Sequence, residues 1–589
     1  MKQFFKFVLA TFVGLLLATI IGVIIIVGVI SAAGSDKTVE VEPNSVLHIA
    51  FNHPITERTA NNPLASLGFL GDGDKSIGLK DILANIRKAK ADDNIKGIFL
   101  DESAIDAGQA TVEEIRNALI DFKKSKKFII AYSEVYSQSF YYLASVADKV
   151  YLNPRGMFEF KGFSSQVTFF KGALDKLGVD VQIIKVGTYK SAVEPYFLTK
   201  MSDANRLQVT SYLGSMYDHF LTGISTSRGI GKDSLFNYAN NMMIQEPEDA
   251  LKYKLVDGLK YKDEILTELK RLTGTESGAD VKSVEIGEYT NTMVTAPDKK
   301  GKSEGRIAIV YASGEIAGGD GDDNSIGSES ISKALRKVRL DKKIKAVVLR
   351  VNSPGGSSLA SDVIWREVML TKQVKPIIVS MGDVAASGGY YISCAADSII
   401  AEPNTITGSI GIFAILPDMK KLLNDKLGVT FDGVKTGKYA DIGDAYRPLT
   451  TDERLILQNQ VNHGYDDFTK AVAAGRHKTQ AYINSIGQGR VWTGEQALKI
   501  GLVDRLGNIN DAVKSAAKKA NLKNYRLESY PEQKSIFNKF GLGSVSASIK
   551  SRVLQSELGE NFKYYEQVKG VTQMMRTPQA RMPYDVEIH

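Results

Sequence analysis

The sequence predicts an α/β protein with two tandem domains behind an apolar N-terminal helix. Three observations support this: an internal repeat, an alternation of strand-like and helix-like segments within each copy, and a long uncharged run at the N-terminus. The 589 residues are enough for about three domains. Apolar content of 43% and charged content of 24% are ordinary for a folded globular protein.

The N-terminal run has the features of a membrane anchor. Lys2 and Lys6 precede 27 uncharged residues, 7–33. A bilayer needs about 20 apolar residues, whereas the apolar core of a cleaved signal peptide has only about 7–15. Residues 1–34 are therefore predicted as a single-pass transmembrane anchor that contacts lipid through residues 7–33. The two lysines hold the N-terminus in the cytoplasm, so the remaining chain is expected outside it. The small residues 31–33 leave removal of the anchor open.

An internal repeat runs through the rest of the chain. Ile95–Leu100 recurs as Ile344–Leu349, and Tyr141-Tyr142 recurs as Tyr390-Tyr391, each at an offset of 249 residues. A constant offset over such a distance indicates a duplicated domain. The predicted boundaries are a first domain over residues 45–290, a linker over 291–304, a second domain over 305–525, and an extension of unassigned role over 526–589.

Each copy follows one order of elements. A first strand is followed by a helix, a second strand, a second helix and two further strands. In the first copy these are 46–51, 79–91, 95–100, 112–123, 128–131 and 149–152, and in the second 306–311, 331–339, 344–349, 360–371, 377–380 and 398–401. Apolar strands that alternate with helices predict mainly parallel sheets buried on both faces. From Thr577 onward the sequence predicts a segment that is disordered or depends on a partner for its structure.

Composition excludes several classes of function. The net charge of +7 is spread along the chain, and no basic block is interleaved with aromatic residues, so nucleic-acid binding is not predicted. The single cysteine, Cys394, excludes internal disulfides and is expected to be a buried packing residue. No cofactor or metal ion is predicted.

The second copy has a glycine turn that the first lacks. Pro354, Gly355 and Gly356 follow its second strand, whereas the aligned residues 105–107 are Ile-Asp-Ala. Glycines after a strand permit close backbone approach, and their N–H groups can stabilise an oxyanion. The alternative is a simple tight turn.

A serine also distinguishes the copies. Ser387 lies among alanines and glycines after a strand, where the first copy has Gln138. A serine that opens a helix has free N–H groups and positive potential beside it, which suits a nucleophile that generates an anion. The alternative is that Ser387 caps the helix.

The candidate base is a lysine of the first copy. None of the six histidines lies in a motif with the glycine turns, although a Ser-His-Asp triad stays open. Lys190 of the first copy aligns with Ala440 of the second. Each copy has thus lost one partner, as expected of one site built from both. The pKa of Lys190 must fall from about 10.4 to about 7–8 for this role, and burial among apolar neighbours can provide such a shift. A solvated surface charge is the alternative.

These motifs together resemble the signal peptide peptidase A family, membrane-anchored serine proteases with a Ser-Lys dyad, in its long form with two tandem halves. The motifs are residues 187–195, 352–356 and 385–391. The resemblance implies Ser387 as nucleophile, Lys190 as general base and Ser409 as the residue that orients the lysine. Phe160 stands at the Ser409 position in the first copy. The alternative for Ser409 is a turn hydroxyl that bonds the backbone.

The resemblance also implies a ClpP/crotonase-like fold and a bowl-shaped homotetramer. It places the catalytic body on the periplasmic side of the bacterial cytoplasmic membrane. The N–H groups of Gly388 and of Gly355 or Gly356 are expected to hold the oxyanion. The predicted function is degradation of peptide substrates, namely signal peptides left after secretion, through an acyl-enzyme. A crotonase-like thioester hydrolase or acyl transferase and a non-catalytic membrane scaffold are the alternatives. Whether the dyad forms within one chain or between chains stays open.

Overall fold

Each repeat is built around a parallel β-sheet covered by helices, as seen in a computed structural model of the chain. The structure describes residues 2–33, 39–59, 77–276, 278–292, 303–322, 325–533 and 578–582, with the single positions 557, 559 and 562. The predicted linker 291–304 and extension 526–589 lie largely outside these residues. The predicted domain boundaries stay predictions.

The first repeat contains a six-stranded sheet in the order β7-β1-β2-β3-β4-β6, with all neighbours parallel. The elements are α1 Lys2–Ala33, β1 Ser45–Ile49, α2 Leu79–Ala91, β2 Ile95–Asp101, α3 Gln109–Lys123, β3 Phe128–Tyr136, α4 Gln138–Ala144, β4 Lys149–Phe158, α5 Lys171–Leu177, β5 Asp180–Val186, α6 Glu194–Phe197, α7 Asp203–Arg228, α8 Lys232–Asn240, α9 Pro247–Lys252, β6 Gly258–Leu259, α10 Lys262–Thr273 and β7 Ser283–Glu285.

The second repeat contains the equivalent sheet in the order β19-β8-β11-β13-β14-β18. The elements are β8 Gly305–Ser313, β9 Glu315–Ala317, β10 Ser325–Gly327, α11 Ser328–Leu340, β11 Ile344–Ser353, β12 Gly355–Ser357, α12 Ser358–Lys372, β13 Ile377–Ala386, α13 Gly388–Ser393, β14 Ser398–Ala401, β15 Ile406–Gly408, β16 Ile412–Asp418, α14 Thr451–Arg476, α15 Gln480–Ile486, β17 Val491–Thr493, α16 Gly494–Lys499, β18 Arg505–Leu506, α17 Ile509–Lys519, β19 Tyr525–Tyr530 and β20 Gln579–Arg581.

Each of the six strands of the first sheet has a counterpart in the second, which also contains β15 and β17, and the predicted α/β class with mainly parallel strands is confirmed. The central strands are buried along most of their length, as their largely apolar sequences require. At their carboxyl ends, the strands extend further than the sequence predicted. The prediction ended the third strand of the second copy at Ser380, whereas β13 continues to Ala386. Gly382 and Asp383 are disfavoured in strands, and they lie at an irregularity in the pairing with β11, where Thr405 Oγ1 donates to the Gly382 carbonyl at 2.8 Å.

A third, mixed sheet joins the two repeats in the order β10-β9-β12-β20-β16-β5. Strand β5 of the first repeat pairs antiparallel with β16 of the second over seven residues, from Val186 opposite Ile412 to Asp180 opposite Asp418. Strand β20 comes from the C-terminal extension and lies between β12 and β16. Residues 579–581 are therefore ordered by a partner strand on each side, so of the two alternatives for the end of the chain, disorder does not hold for them.

Helix α1 contains the predicted anchor. It runs for 32 residues from Lys2 to Ala33, and the side chains of residues 22–33 are outside the described part. Among the residues that the structure describes, no helix is both long and apolar enough to cross a membrane. The transmembrane segment over residues 7–33 stays a prediction.

A buried ion cluster connects the repeats beneath the glycine turn. Arg350 of β11 has no exposed surface, and its guanidinium lies 2.9 Å from Glu57 Oε2 and 2.6 Å from Glu114 Oε1, both in the first repeat. Asn352 Nδ2 donates to Glu57 Oε1 at 3.1 Å, and Asn352 Oδ1 accepts from Val384 N–H at 3.1 Å. The first repeat thus anchors the chain that leads into the Pro354-Gly355-Gly356 turn.

Arg350→Met is expected to lower the free energy of unfolding by about 3–5 kcal/mol, because it leaves the carboxylates of Glu57 and Glu114 buried without a cation. Guanidinium unfolding of the purified chain measures the effect. Arg526→Met removes an exposed arginine and is the matched control, with an expected change within about 0.5 kcal/mol. Equal stability of the two variants would contradict the structural role of the cluster.

Candidate active site

Three chain segments meet at the carboxyl edge of the second repeat's sheet. Strands β11, β13 and β15 are neighbours and run parallel. Their carboxyl ends lead into the Pro354-Gly355-Gly356 turn, Ser387 and Ser409 respectively. The carboxyl edge of a parallel sheet is where loops converge to form binding sites. The sheet therefore collects the three second-copy motifs that the sequence singled out.

Ser387 is held in a strained turn between β13 and α13. Its backbone has φ 55° and ψ −113°, a region that residues with a side chain rarely adopt. Its N–H donates to the carbonyl of Gly408 at 2.8 Å. The side chain makes no capping hydrogen bond to α13, so the helix-cap alternative is wrong. The turn instead directs the hydroxyl away from the helix.

Lys190 reaches Ser387 from the first repeat of the same chain. It follows β5, which the third sheet attaches to the second repeat. The Lys190 Nζ lies 2.9 Å from Ser387 Oγ. Nζ also donates to the Ser409 carbonyl at 3.2 Å and contacts the Ser409 Oγ at 3.1 Å. The contact between the two candidate residues therefore forms within one chain, and the basic group beside Ser387 is a lysine.

Burial determines the charge of this lysine. Lys190, Ser387 and Ser409 have no exposed surface. Removal from water disfavours the ammonium and holds the pKa of Lys190 well below its ordinary value. Glu194 is the acid nearest to Lys190 in sequence. Its carboxylate accepts hydrogen bonds from Ser202 Oγ at 2.6 Å and Asn205 Nδ2 at 2.9 Å. The surface-charge alternative is wrong, because this lysine lies in the interior.

Ser409 completes the hydrogen bonding of a neutral lysine. A neutral amine has two N–H donors and one lone pair. The Ser409 carbonyl is only an acceptor, so it takes one N–H, and the Ser409 Oγ is placed to take the second. The lone pair is then directed at the Ser387 hydroxyl. Ser409 has φ 49°, and its hydroxyl contacts Lys190. The alternative that this hydroxyl bonds the backbone of a turn is therefore wrong.

Two glycines that sequence reasoning did not single out make room for the lysine. A Cβ at Gly489 would lie 2.6 Å from Lys190 Cα, and one at Gly411 would lie 3.1 Å from Lys190 Cδ. Gly489 also has φ 79°. Gly411 lies two residues after Ser409, but Gly489 is far in sequence from every motif named above. In the sequence, its position two residues after Gly487 is the feature that could have indicated it.

The two N–H groups of the glycine turn have different partners, since Gly356 is paired with Ala580 of β20. Ser353 Oγ accepts from the Gly355 N–H at 3.1 Å, so that donor is already used. Gly355 and Gly356 have φ 98° and 155°, and they form the strand β12 rather than a simple tight turn. Gly356 and Gly388 are therefore the candidates for oxyanion donors, and sequence reasoning missed Ser353, which selects between the two glycines of the turn.

The first repeat uses the equivalent edge for structure. Gln138 Oε1 accepts from the N–H groups of Lys161 and Gly162 at 3.0 Å, and its Nε2 donates to the Gly162 carbonyl at 3.0 Å. Phe160 is buried with its ring 6.3 Å from that of Tyr141. Amide hydrogen bonds and aromatic packing replace the hydroxyl groups of the second repeat.

Ser409→Ala is expected to lower kcat for peptide hydrolysis by about 3–10-fold with little change in KM, because one hydrogen bond to Lys190 is lost. Steady-state kinetics on a fluorogenic peptide measure this. Ser485→Ala removes an exposed hydroxyl and serves as the control. A Ser409→Ala enzyme with unchanged kcat would show that the carbonyl alone suffices to position the lysine.

Comparison with known proteins decides the family. The sequence profile of Peptidase family S49 matches residues 121–276 and 369–523, once in each repeat. Protease 4 of Salmonella typhi is 36% identical over 544 residues, which cover 90% of this chain and 87% of that protein. The chain belongs to peptidase family S49. The predicted resemblance is confirmed, and this peptidase is a serine peptidase that acts on peptide substrates.

Other relatives agree. Protease 4 of Haemophilus influenzae is 38% identical over 76% of this peptidase and 74% of that protein. The chloroplastic serine protease SPPA of Arabidopsis thaliana is 34% identical over 76% of this peptidase and 66% of that protein. Among solved structures, a ClpP1 mutant from Listeria monocytogenes matches 35% of this chain and 94% of its own at 16% identity and a TM-score of 0.24. At that score the ClpP/crotonase-like class stays a prediction.

Proposed function

We propose that Ser387 is the nucleophile and Lys190 the general base of a peptidase that forms an acyl-enzyme. The observation that carries this is the buried contact of 2.9 Å between Lys190 Nζ and Ser387 Oγ. A serine hydroxyl needs an adjacent base to become nucleophilic, and a lysine serves when its pKa is lowered by burial. Ser409 is the positioning residue that directs the lysine.

The first half-reaction transfers the acyl part of the substrate to the enzyme. Neutral Lys190 Nζ accepts the Ser387 proton while Oγ bonds to the peptide carbonyl carbon. The N–H groups of Gly356 and Gly388 stabilise the resulting oxyanion. The carbon–nitrogen bond then breaks, and the Lys190 ammonium returns the proton to the leaving amine. An ester on Ser387 remains.

The second half-reaction releases the acyl part by the same groups. Lys190 is neutral again and accepts a proton from a water molecule, whose oxygen attacks the ester carbonyl carbon. The same two N–H groups hold the second oxyanion. When the ester bond breaks, the proton returns to Ser387 Oγ, and a carboxylic acid leaves.

We propose signal peptides as the substrate class and the bacterial cytoplasmic membrane as the location. A putative signal peptide peptidase SppA of Enterococcus faecium is 34% identical over 43% of this chain and 75% of that protein. Helix α1 carries the uncharged residues 7–33 that would place the periplasmic body beside peptides left in the bilayer. The bowl-shaped homotetramer belongs to the same proposal, and its mass in detergent tests it.

Two measurements on the detergent-solubilised chain separate this proposal from the alternatives. A fluorophosphonate probe is expected to label Ser387 and to leave Ser387→Ala unlabelled, whereas a scaffold would not react. Turnover of an apolar peptide and of an acyl thioester is then compared. Faster thioester turnover would favour the crotonase-like hydrolase or acyl transferase.

A further inference from the structure

The C-terminal strand β20 occupies a groove between the two strands that border the candidate active site. It pairs antiparallel with β12, with Gly356 opposite Ala580, and antiparallel with β16 through Phe413 opposite Gln579. The pairing is completed at both ends, since Met582 N–H donates to the Pro354 carbonyl at 2.7 Å and Ser358 N–H to the Pro578 carbonyl at 3.2 Å. An extended peptide that adds a strand between two strands is a common mode of peptide recognition.

One carbonyl of this strand lies at the proposed oxyanion donors. A Cβ added to Gly355 would lie 2.1 Å from the Ala580 carbonyl oxygen and 2.7 Å from Gly388 N. A Cβ added to Gly388 would lie 3.0 Å from the same oxygen. The Ala580 carbonyl therefore lies against Gly355 and Gly388, and its strand partner is Gly356. This is where the mechanism requires the carbonyl that Ser387 attacks.

The side chains of the segment have separate places. Ala580 is 1% exposed and belongs to the apolar cluster that contains Ile316 and Ile412. Met582 is 3% exposed and belongs to a second cluster with Tyr212 and Met216. Gln579 is also buried, and Arg581 Nη1 lies 2.8 Å from Glu315 Oε1. Residues 579–582 thus bind through their side chains, three by burial and one by an ion pair, as the side chains of a bound peptide substrate do.

We infer that residues 578–582 are bound as an intramolecular peptide substrate, and that Ser387 cleaves the bond between Ala580 and Arg581. This rests on the proposed function. Ser387 Oγ bonds to the Ala580 carbonyl carbon and its proton passes to Lys190. The bond to Arg581 nitrogen breaks, and that nitrogen takes the proton from Lys190. Water then releases Ala580 as a carboxylic acid and restores Ser387, so the chain after Ala580 is lost.

The same placement defines a preference for other peptides. A tethered segment reaches an effective concentration in the millimolar range, so external peptides compete poorly until it leaves. The buried position of Ala580 requires a small side chain on the residue whose carbonyl is attacked. Glu315 favours a basic residue directly after the cleaved bond, with an effect of about 2–5-fold because the pair is partly exposed.

The intact mass of the full purified chain tests the inference. Wild type is expected to end at Ala580, and Ser387→Ala is expected to keep the residues beyond it. If wild type keeps its C-terminal residues, or is cut at another bond, while it hydrolyses an external peptide, the inference is overturned and the proposed function stands. If neither the C-terminal segment nor an external peptide is cut, the proposed function itself fails.

Two further arms test the pocket and the intramolecular reaction. Ala580→Phe is expected to slow the self-cleavage at least 10-fold while an external peptide is still hydrolysed, and Ala481→Phe at an exposed position is the matched control. Isotope-labelled Ser387→Ala chain mixed with wild type is expected to stay intact. Normal cleavage of Ala580→Phe, or efficient cleavage of the labelled chain, would overturn the inference.

Discussion

Ser387→Ala is expected to lower kcat for peptide hydrolysis by about 10⁴–10⁶-fold, since the acyl-enzyme then has no oxygen on which to form. The serine occupies a backbone conformation with φ 55°, which the packing of β13 and α13 imposes regardless of its hydroxyl. The variant should therefore fold as the wild type does. Single-turnover kinetics and thermal unfolding of the same preparation measure the two properties.

Ser398→Ala provides the control for this substitution. It removes a hydroxyl from the start of β14, in the same sheet but away from the contact with Lys190. Near wild-type turnover by Ser398→Ala, together with loss by Ser387→Ala, assigns the effect to the nucleophile. Residual Ser387→Ala activity within 100-fold of wild type would exclude Ser387 as the attacking group.

Lys190→Met is expected to lower kcat by about 10²–10⁴-fold, the usual contribution of a general base. Lys190→Arg should be as inactive, because a guanidinium stays protonated and has no lone pair for the serine proton. Lys176→Met alters an exposed lysine of α5 and is the matched control. Substantial activity in either Lys190 variant would remove lysine from the mechanism.

The pH dependence follows from the sign of the pKa shift. Burial holds the Lys190 pKa well below its ordinary value, and only the neutral amine accepts the serine proton. Activity of wild type should fall as the pH drops through that lowered pKa and should persist at pH values well below the ordinary pKa of lysine. An ordinary, exposed lysine would instead require strongly alkaline conditions.

Lys190→Met should also make the protein more stable. Between the lowered folded pKa and the ordinary unfolded pKa of about 10.4, the unfolded chain binds the extra proton, so this lysine contributes a loss of stability that grows as the pH falls. Methionine cannot bind a proton, so the substitution removes this pH-dependent loss of folding stability. Thermal unfolding at several pH values should show a larger gain at lower pH, down to the folded pKa.

Local patterns were sufficient for much of the fold. The repeat at an offset of 249 residues predicted two equivalent domains, and the alternation of apolar strands with helices predicted parallel sheets. Both follow from short-range periodicity, which side-chain burial imposes on each element separately. The same comparison of copies singled out Ser387 and Lys190, because each copy kept the group that the other had lost.

Contacts between distant segments could not be predicted in this way. Strand β5 pairs with β16 across more than 200 residues of sequence, and that pairing brings Lys190 to Ser387 in the same chain. The use of the Gly355 N–H by Ser353, and the space that Gly489 leaves for the lysine, depend on backbone approach rather than on residue type.

By itself, then, the sequence determined the duplication, the α/β class and the candidate residues Ser387 and Lys190, because each depends on residue type and spacing within one segment. Only the tertiary structure decided that Lys190 and Ser387 of one chain meet, that the Gly355 N–H is bonded to Ser353 whereas Gly356 pairs with Ala580, and that residues 579–581 form a strand in the groove. These depend on which backbone groups meet after folding, and strand pairing between distant segments leaves no periodic signal in the sequence.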